Sequence, residues 1–436
     1  MKNNVNKNMM NSRSARNSPR NTLAMAILAA PFLSMSAQGA GLQLMPGSPN
    51  FGTAGAGHAA LGMGAGSAWA NPATMVLVEG QQIGFGLIVA ETDIAFEADD
   101  STLDSGGNAG GEIHIPSFGY VNSINEQVSL GFSFVVPFGN SLEYNEGWEG
   151  ENVANSVSLQ TLQAMPSIAY RINQQFSVGF GITANHTSVE QALKMNMTLD
   201  GVPIPVNTDV ALEADSLDYG WTLGGLFEMD AQNRIGFVYR SEVSSDLTGT
   251  GTLSNSNISS LDGSYDTELS WVNPASIVIS GIHQLNNEVS VMWDLGRTFY
   301  SAFNETQVLV KGLLPGNPPS DLPLTLERNW KDANRYAVGT HYQLNDKVIL
   351  QAGYAFEEST VDTHDRNVDI PLDEIQRYTV GALYTVTTST ELAFGLEYAD
   401  LGTPSTVSEE NNDFSAPSGE FDNSAVAASF SVNYSF

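Results

Sequence analysis

The sequence predicts an all-β protein, a fourteen-stranded antiparallel transmembrane β-barrel whose lumen is plugged by an N-terminal hatch. Two observations predict the barrel: large apolar residues alternate with small or polar ones along the body of the chain, and short turns alternate with long loops. A third observation, a Gly-rich apolar segment before the first strand, predicts the hatch. We therefore divide the chain into a leader (1–39), a head segment (40–80) and a barrel (81–436).

The alternation has period two and places large apolar side chains on one face. It is clearest in residues 429–436, where serine or asparagine alternates with Phe, Val or Tyr. Charge is nearly absent from these stretches and lies mostly in the connections. A soluble sandwich would show the reverse, with large residues inside and charge outside, so the pattern indicates strands that face lipid. The same pattern recurs at 128–134, 176–183 and 392–398.

Short and long connections alternate along the same region. An even strand number, with short turns at one end and long acidic loops at the other, is typical of bacterial outer-membrane barrels. We expect the long loops to face outside. The six predicted turns lie at 123–126, 172–175, 230–233, 285–288, 344–347 and 387–390, and the seven predicted loops at 97–111, 138–156, 194–214, 244–266, 302–332, 357–376 and 401–423.

The first 39 residues have the features of a secretory signal peptide. Basic residues come first, then the apolar run "TLAMAILAAPFLSM", then small residues that suit cleavage after Gly39. The alternative is a membrane-anchoring helix, but the run is shorter than the roughly 20 residues that a span needs. We therefore predict export to the outer membrane of a Gram-negative cell.

Charge and cysteine content exclude several classes of function. Without the five basic residues of the leader, 12 basic residues stand against 48 acidic ones, a net charge of −36. This balance excludes nucleic acid as a partner, because binding to phosphates needs clustered Lys and Arg. The chain has no cysteine, so disulfides and thiol chemistry are excluded as well.

The head segment contains nine glycines and no strand alternation. A disordered tail is one interpretation of such a composition. The segment also carries large apolar side chains, including Phe51, Trp69 and Met75, which a solvated tail would not bury. Glycine allows close approach of one backbone to another, so we predict a compact plug in the confined lumen.

The chain resembles the FadL-type family of outer-membrane long-chain fatty acid transporters (OMPP1/FadL/TodX). The resemblance is carried by "AGLQL" at 40–44, "NPATM" at 71–75 and three longer stretches at 224–243, 331–346 and 368–384. It implies a hatch-plugged barrel in which hydrophobic ligand is captured outside, passes to an internal pocket beside the hatch, and leaves through a kink in the wall. The family's capture groove lies in the loop after the fifth strand, which here has only about 20 residues.

The resemblance also implies a ligand-binding site at the hatch. Lys331 stands at the lysine of the family's Lys-Asp-Ala motif, which implies contact with a ligand carboxylate close to Asn71, Pro72 and Ala73. Arg335 and Lys331 fall at the same alternate positions as the small residues of this predicted strand. Because those positions face the lumen, we expect both side chains to face the lumen as well. The alternative for both is pairing with lumenal acids such as Asp332.

Two further cations are candidates for the lumen. By the same parity argument Arg240 faces inward, and we expect it to form a wall network with Glu242. The family's second carboxylate contact is an arginine where this chain has Leu193; Lys194, one residue on, is the candidate to replace it. A shift of one residue reverses the facing of a strand residue, which argues against that replacement.

These features predict a channel for passive uptake of hydrophobic compounds, with long-chain fatty acids as the expected ligand. A monoaromatic-hydrocarbon channel of the toluene/xylene type is the nearest alternative; a general porin and an outer-membrane hydrolase come from other classes. No Ser–His constellation supports catalysis, so we expect no enzyme activity, cofactor or metal. The expected partners are outer-membrane lipid, lipopolysaccharide and the barrel-assembly machinery, and we expect a monomer. The Pro-rich stretch 312–324 is interpreted as a stiff loop and not as an apolar rim for the ligand.

Overall fold

The computed structural model describes residues 43–199, 202–314, 318–408 and 416–436, so the predicted signal peptide lies outside the described residues. One antiparallel sheet contains all nineteen strand segments. No helix within these ranges is long and apolar enough to cross a membrane. The strands are β1 (Gln81–Ala98), β2 (Glu112–Ser123), β3 (Val128–Glu143), β4 (Ser156–Arg171), β5 (Phe176–Leu199), β6 (Val202–Glu228), β7 (Asn233–Arg240), β8 (Val243–Ser254), β9 (Gly263–Asn273), β10 (Ser276–Gln284), β11 (Val289–Thr298), β12 (Glu305–Leu314), β13 (Ser320–Glu327), β14 (Ala333–Asn345), β15 (Val348–Glu357), β16 (Ile375–Thr387), β17 (Thr390–Asp400), β18 (Ser405–Thr406) and β19 (Gly419–Ser435).

The head segment before β1 is built from short helices and turns. A single helical turn, α1, spans Ser67–Ala70, and 3₁₀ helices span Phe51–Thr53, Gly64–Gly66 and Pro72–Leu77. A further 3₁₀ helix, Tyr300–Ala302, follows β11. The absence of long helices here agrees with the glycine content, because glycine destabilises helix interiors.

The sheet closes on itself. The first strand, β1, pairs with β19 from Gln82↔Ser435 to Ala98↔Gly419, so neither terminal strand leaves an open edge. Four barrel strands are interrupted and consist of two segments each: β7 with β8, β10 with β9, β11 with β12, and β14 with β13. Counted in this way, and without the two-residue segment β18, which pairs only with β19, the sheet is a closed barrel of fourteen antiparallel strands, as predicted.

The predicted turns are confirmed, whereas three predicted loops are wrong. Tight turns connect β2 to β3, β4 to β5, β6 to β7, β10 to β11, β14 to β15 and β16 to β17. The segments 194–214, 244–266 and 302–332, expected as loops, instead consist largely of strand; β5 and β6 remain paired as far as Leu199↔Val202. Their polar and acidic residues led to the loop interpretation. Beyond the membrane, however, both faces of a strand can be polar, so polarity does not end the strand.

The outer surface is apolar and the inner surface is small or polar, as the alternation predicts. On β5, Phe176 and Ile182 are 46% and 54% exposed on the outer face, while Ser177 and Thr183 are only 2% and 3% exposed. On β19, Phe430 is exposed outside and Ser431 is buried inside. An apolar outer band with a polar interior is the arrangement that a lipid bilayer stabilises.

Candidate functional site

The described part of the head segment, residues 43–80, lies inside the ring of strands. Polar wall groups from many strands hydrogen-bond to its backbone, so it contacts the barrel on all sides. Among the bonds are Ser117 Oγ to Gly47 O (2.6 Å), Gln351 Nε2 to Pro49 O (2.9 Å), Gly57 N to Asp294 Oδ1 (2.8 Å), Ala59 N to Ser280 Oγ (2.9 Å) and Asn71 Nδ2 to Gly225 O (3.0 Å).

Glycines in the wall let the head segment approach the strands closely. A Cβ atom at Gly236 would lie 1.8 Å from the carbonyl oxygen of Ala59, and one at Gly353 would lie 2.1 Å from the carbonyl carbon of Thr53. These distances are far below van der Waals contact, so no other residue fits without moving the head segment. These lumenal wall positions must therefore be glycine if the head segment is to pack against them.

The sequence-predicted residues Asn71, Pro72 and Ala73 form a buried turn at the wall. Asn71 caps the 3₁₀ helix Pro72–Leu77: its Oδ1 accepts a hydrogen bond from Ala73 N at 3.0 Å, and its Nδ2 donates to Ala59 O at 2.6 Å. All three residues are fully buried or nearly so. Their contacts anchor the head segment, and a role in ligand binding stays a prediction.

A cavity that is partly open to solvent lies between the head segment and the wall. We call it the arginine cavity, because its lining includes Arg240, Arg297, Arg335 and Arg377, together with the carboxylates of Asp294 and Glu357. Apolar groups from both sides complete the lining, among them Leu44, Met45, Ile277 and Val278. The cavity thus offers several fixed cations beside an apolar surface.

Arg240 has no carboxylate partner among the described residues. Its guanidinium lies 4.5 Å from the ring centroid of Trp69 and donates at 3.1 Å to the carbonyl oxygens of Trp69 and Ala70. Its Nε is buried without a hydrogen-bond partner. The expected network with Glu242 is wrong; that carboxylate accepts from Ser244 instead. The lumenal facing is right, because the parity of β7 directs Arg240 inward.

Arg335 also faces the lumen, as predicted. Its guanidinium donates to Ala54 O and lies 3.6 Å from Asp294 Oδ2. Asp294 accepts in turn from Gly57 N, so this pair fastens the middle of the head segment to β11 and β14. The predicted alternative of pairing with a lumenal acid therefore holds for Arg335, with Asp294 in place of Asp332.

His58 is a residue of the cavity that the sequence reasoning missed. It is half-buried and packs edge-on against Trp69, with ring centroids 5.0 Å apart. Burial, and then the positive charges of Arg240 and Arg335, hold the pKa of His58 well below its usual value, so the ring is neutral at pH 7. The sequence feature that could have indicated His58 is its position as a lone histidine in an apolar, Gly-rich segment.

The two sequence-predicted lysines lie away from the arginine cavity. Lys331 precedes β14, where strand parity does not apply, and its ammonium bonds to Asp362; the two side chains are 58% and 61% exposed. Lys194 pairs with Glu151 at 3.3 Å. Neither lysine lines the cavity, and the ligand contact of Lys331 stays a prediction.

A second space, the apolar cleft, lies between the extended hairpins at the long-loop end. It opens to solvent and is lined mainly by apolar side chains. Leu313, Leu322 and Leu324 from the Pro-rich stretch contribute to it, so the interpretation of 312–324 as a loop without a rim role is wrong. β5 contributes Leu193 and Met195. Arg328 is the one charged side chain among the described residues that line the cleft.

The wall has a gap between β2 and β3. These strands pair only from Phe118↔Phe134 to Ser123↔Ser129, although both continue further towards the long-loop end. Where they separate, Leu44 N donates to Pro137 O at 2.8 Å, and the register of β3 with β4 shifts between Val135 and Phe138. A residue of the head segment thus occupies the opening.

A closed β-barrel with an apolar outer surface and a chain segment in its lumen belongs to the class of plugged outer-membrane barrels. A sequence model of one such family, described as outer membrane protein transport protein (OMPP1/FadL/TodX), matches residues 30–436. The chain belongs to this family. Its members are transport channels for hydrophobic compounds.

Relatives and solved structures agree with this assignment. The chain is 25% identical over 406 residues to the long-chain fatty acid transport protein of Salmonella typhi, covering 87% of this chain and 91% of that one. Its fold matches the crystal structure of a Pseudomonas aeruginosa FadL homologue (TM-score 0.83, 18% identity, 91% and 100% covered). It also matches the Ralstonia pickettii toluene transporter TbuX (TM-score 0.70, 22% identity, 90% and 98% covered).

Proposed function

We propose that the protein takes up long-chain fatty acids passively across the outer membrane and binds their carboxylate in the arginine cavity. The observation that carries this proposal is Arg240, a half-buried guanidinium with no carboxylate partner among the described residues, whose Nε is buried without a hydrogen-bond partner. A buried cation without a counter-ion is costly, and an anionic ligand would supply one. The apolar groups beside it, such as Leu44 and Ile277, would contact the first methylenes of the chain.

The proposed route has three stages. The apolar cleft captures the alkyl chain, the arginine cavity holds the carboxylate, and the gap between β2 and β3 releases the ligand sideways into the membrane. The head segment acts as the hatch: it closes the lumen, and movement of Leu44 away from Pro137 would open the gap. A lateral exit suits an apolar ligand, because the membrane is a better solvent for it than water.

Uptake of a monoaromatic hydrocarbon is the second candidate. It is favoured by the apolar cleft, whose lining is uncharged apart from Arg328 within the described chain. A neutral hydrocarbon makes no use of the arginines, however, and leaves Arg240 without a counter-ion. The two candidates therefore differ in what they require of Arg240.

Binding of palmitate, its methyl ester and toluene to the purified barrel tests the proposal. A charge-assisted hydrogen bond contributes roughly 1.5–3 kcal/mol, so Arg240→Met should weaken palmitate binding by about 10- to 100-fold. The ester should lose less than about threefold, because it carries no charge. Equal losses for acid and ester would refute carboxylate recognition by Arg240, and binding of toluene without palmitate would establish the second candidate.

The matched control is Ser117→Ala. Ser117 also fastens the head segment, through a neutral hydrogen bond to Gly47 O at 2.6 Å, and lies outside the arginine cavity. If loosening the head segment were enough to weaken palmitate binding, Ser117→Ala would also lose affinity for palmitate but not for the methyl ester. We expect acid and ester to bind it equally well relative to the unaltered protein.

A further inference from the structure

The loop between β15 and β16, residues 358–374, closes the mouth of the barrel. It is held by groups that come from well-separated parts of the ring, so it spans the opening. Asn140 of β3 donates to Asp369 O at 2.9 Å, and Tyr144 donates to Val368 O at 2.8 Å. From β19, Asn423 donates to Pro371 O at 3.1 Å.

One ion pair joins this loop to the apolar cleft. Arg328, between β13 and β14, binds Asp369 through both nitrogens, at 2.8 Å to Oδ1 and 2.6 Å to Oδ2. The two side chains are only 6% and 5% exposed. Separating such a pair leaves two uncompensated charges, which strongly disfavours opening of the loop. If another carboxylate replaces Asp369, the guanidinium keeps its two charge-assisted hydrogen bonds.

The position of Arg328 makes it accessible to a ligand in the cleft. It lines the cleft itself, and its Nε donates to Thr306, another lining residue, at 3.2 Å. Behind it the guanidinium lies 5.6 Å from the ring centroid of Phe303, which packs on Trp330 at 4.8 Å. An amphiphile whose alkyl chain occupies the cleft can therefore present its carboxylate to Arg328.

We propose that the carboxylate of an incoming amphiphile replaces Asp369 on Arg328 and so releases loop 358–374. This inference rests on the proposed uptake of fatty acids and adds an entry step before the arginine cavity. The exchange conserves charge at Arg328, while Asp369 becomes free to move out to solvent with its loop. A neutral ligand in the same cleft leaves the pair intact, so Arg328 selects for carboxylates before the lumen is reached.

Alkylation of a cysteine in the loop tests the exchange. Val368 is fully buried in the closed loop and the chain has no cysteine, so Val368→Cys gives a single reporter. A membrane-impermeant maleimide should label it slowly in the free protein, and palmitate should accelerate labelling at least tenfold. Methyl palmitate at the same occupancy should change the rate less than twofold. With Asp369→Asn added, labelling should be fast without any ligand.

The matched control is Glu268→Gln, which removes the Lys311–Glu268 pair. That pair joins β9 and β12 beside the cleft but does not touch the loop, so labelling should be unchanged. Palmitate binding to the unaltered protein, measured in parallel, separates the two proposals. Palmitate that binds without accelerating labelling, or an ester as effective as the acid, would overturn the exchange and leave fatty acid uptake standing. Absence of palmitate binding would instead remove the proposed function itself.

Discussion

Replacement of Gly224 by alanine should lift the head segment from the wall, whereas the same change at Gly225 should do nothing. A Cβ at Gly224 would lie 2.0 Å from Asn71 Oδ1, while one at Gly225 would lie 3.9 Å from the nearest atom, on Phe237. The two residues are adjacent on β6 and face opposite sides. The pair therefore compares one methyl group inside the barrel with one outside it.

The expected effect of Gly224→Ala on the anchoring of the head segment follows from the hydrogen bonds of the Asn71 side chain. Its side chain donates to Ala59 O and Gly225 O and accepts from Ala73 N, and the inserted methyl group would break these three hydrogen bonds. At roughly 0.5–1.5 kcal/mol each, the local anchoring of the head segment would fall by about 2–4 kcal/mol. The population with the segment displaced would then rise by about 30- to 700-fold.

Single-channel conductance in planar bilayers measures the displaced population. We expect Gly224→Ala to show frequent open events and Gly225→Ala to match the unaltered protein, with heat-modifiable gel migration confirming a folded barrel in both. If Gly224→Ala stayed as closed as the unaltered protein, the head segment would not be the element that closes the lumen. Conductance raised equally in both variants would show that the facing of β6 was wrongly assigned.

Three other outcomes are expected. An epitope inserted at 259–260, in the β8–β9 connection, should be reachable by antibody on intact cells, and one at 286–287, in the β10–β11 turn, should be hidden; the opposite labelling would invert the topology. Lys331→Ala should change palmitate affinity less than twofold in the same binding assay, because its ammonium is exposed and pairs with Asp362; a tenfold loss would restore the sequence-based prediction. Conductance should rise as pH falls from 7 to 5, because the displaced segment binds a proton at His58 that the packed segment excludes, and His58→Gln should abolish the rise; a flat profile in the unaltered protein would contradict this.

The barrel could be predicted from the sequence because lipid imposes a strict period of two on every spanning strand. The same alternation correctly predicted that Arg240 and Arg335 face the lumen. This alternation predicts the facing of a side chain only within a strand. Lys331 precedes the first residue of β14, so its expected facing had no physical basis.

Other parts of the site depend on contacts that no local pattern records. Arg328 and Asp369 are 41 residues apart, and each lies in an irregular connection, so nothing in the spacing indicates their pairing. The path of the head segment is set by where wall glycines leave room, as at Gly236 against Ala59. A glycine in a strand indicates a close approach, but the sequence does not say which backbone approaches.

The length of the β5–β6 hairpin determines how far above the membrane the apolar cleft lies. With 24 residues at about 3.3 Å each, β5 is about 80 Å long, and a tilt of roughly 40° leaves a height of about 60 Å. The lipid-facing band of such barrels is about 25 Å tall, so β5 is taller than the band. Because the turn before β5 is short, most of the additional height of the strand lies above the outer leaflet. The hairpin therefore holds Leu193 and Met195 of the apolar cleft well above the membrane, so that in the proposed route a sparingly soluble compound would leave water before it reaches the lipid.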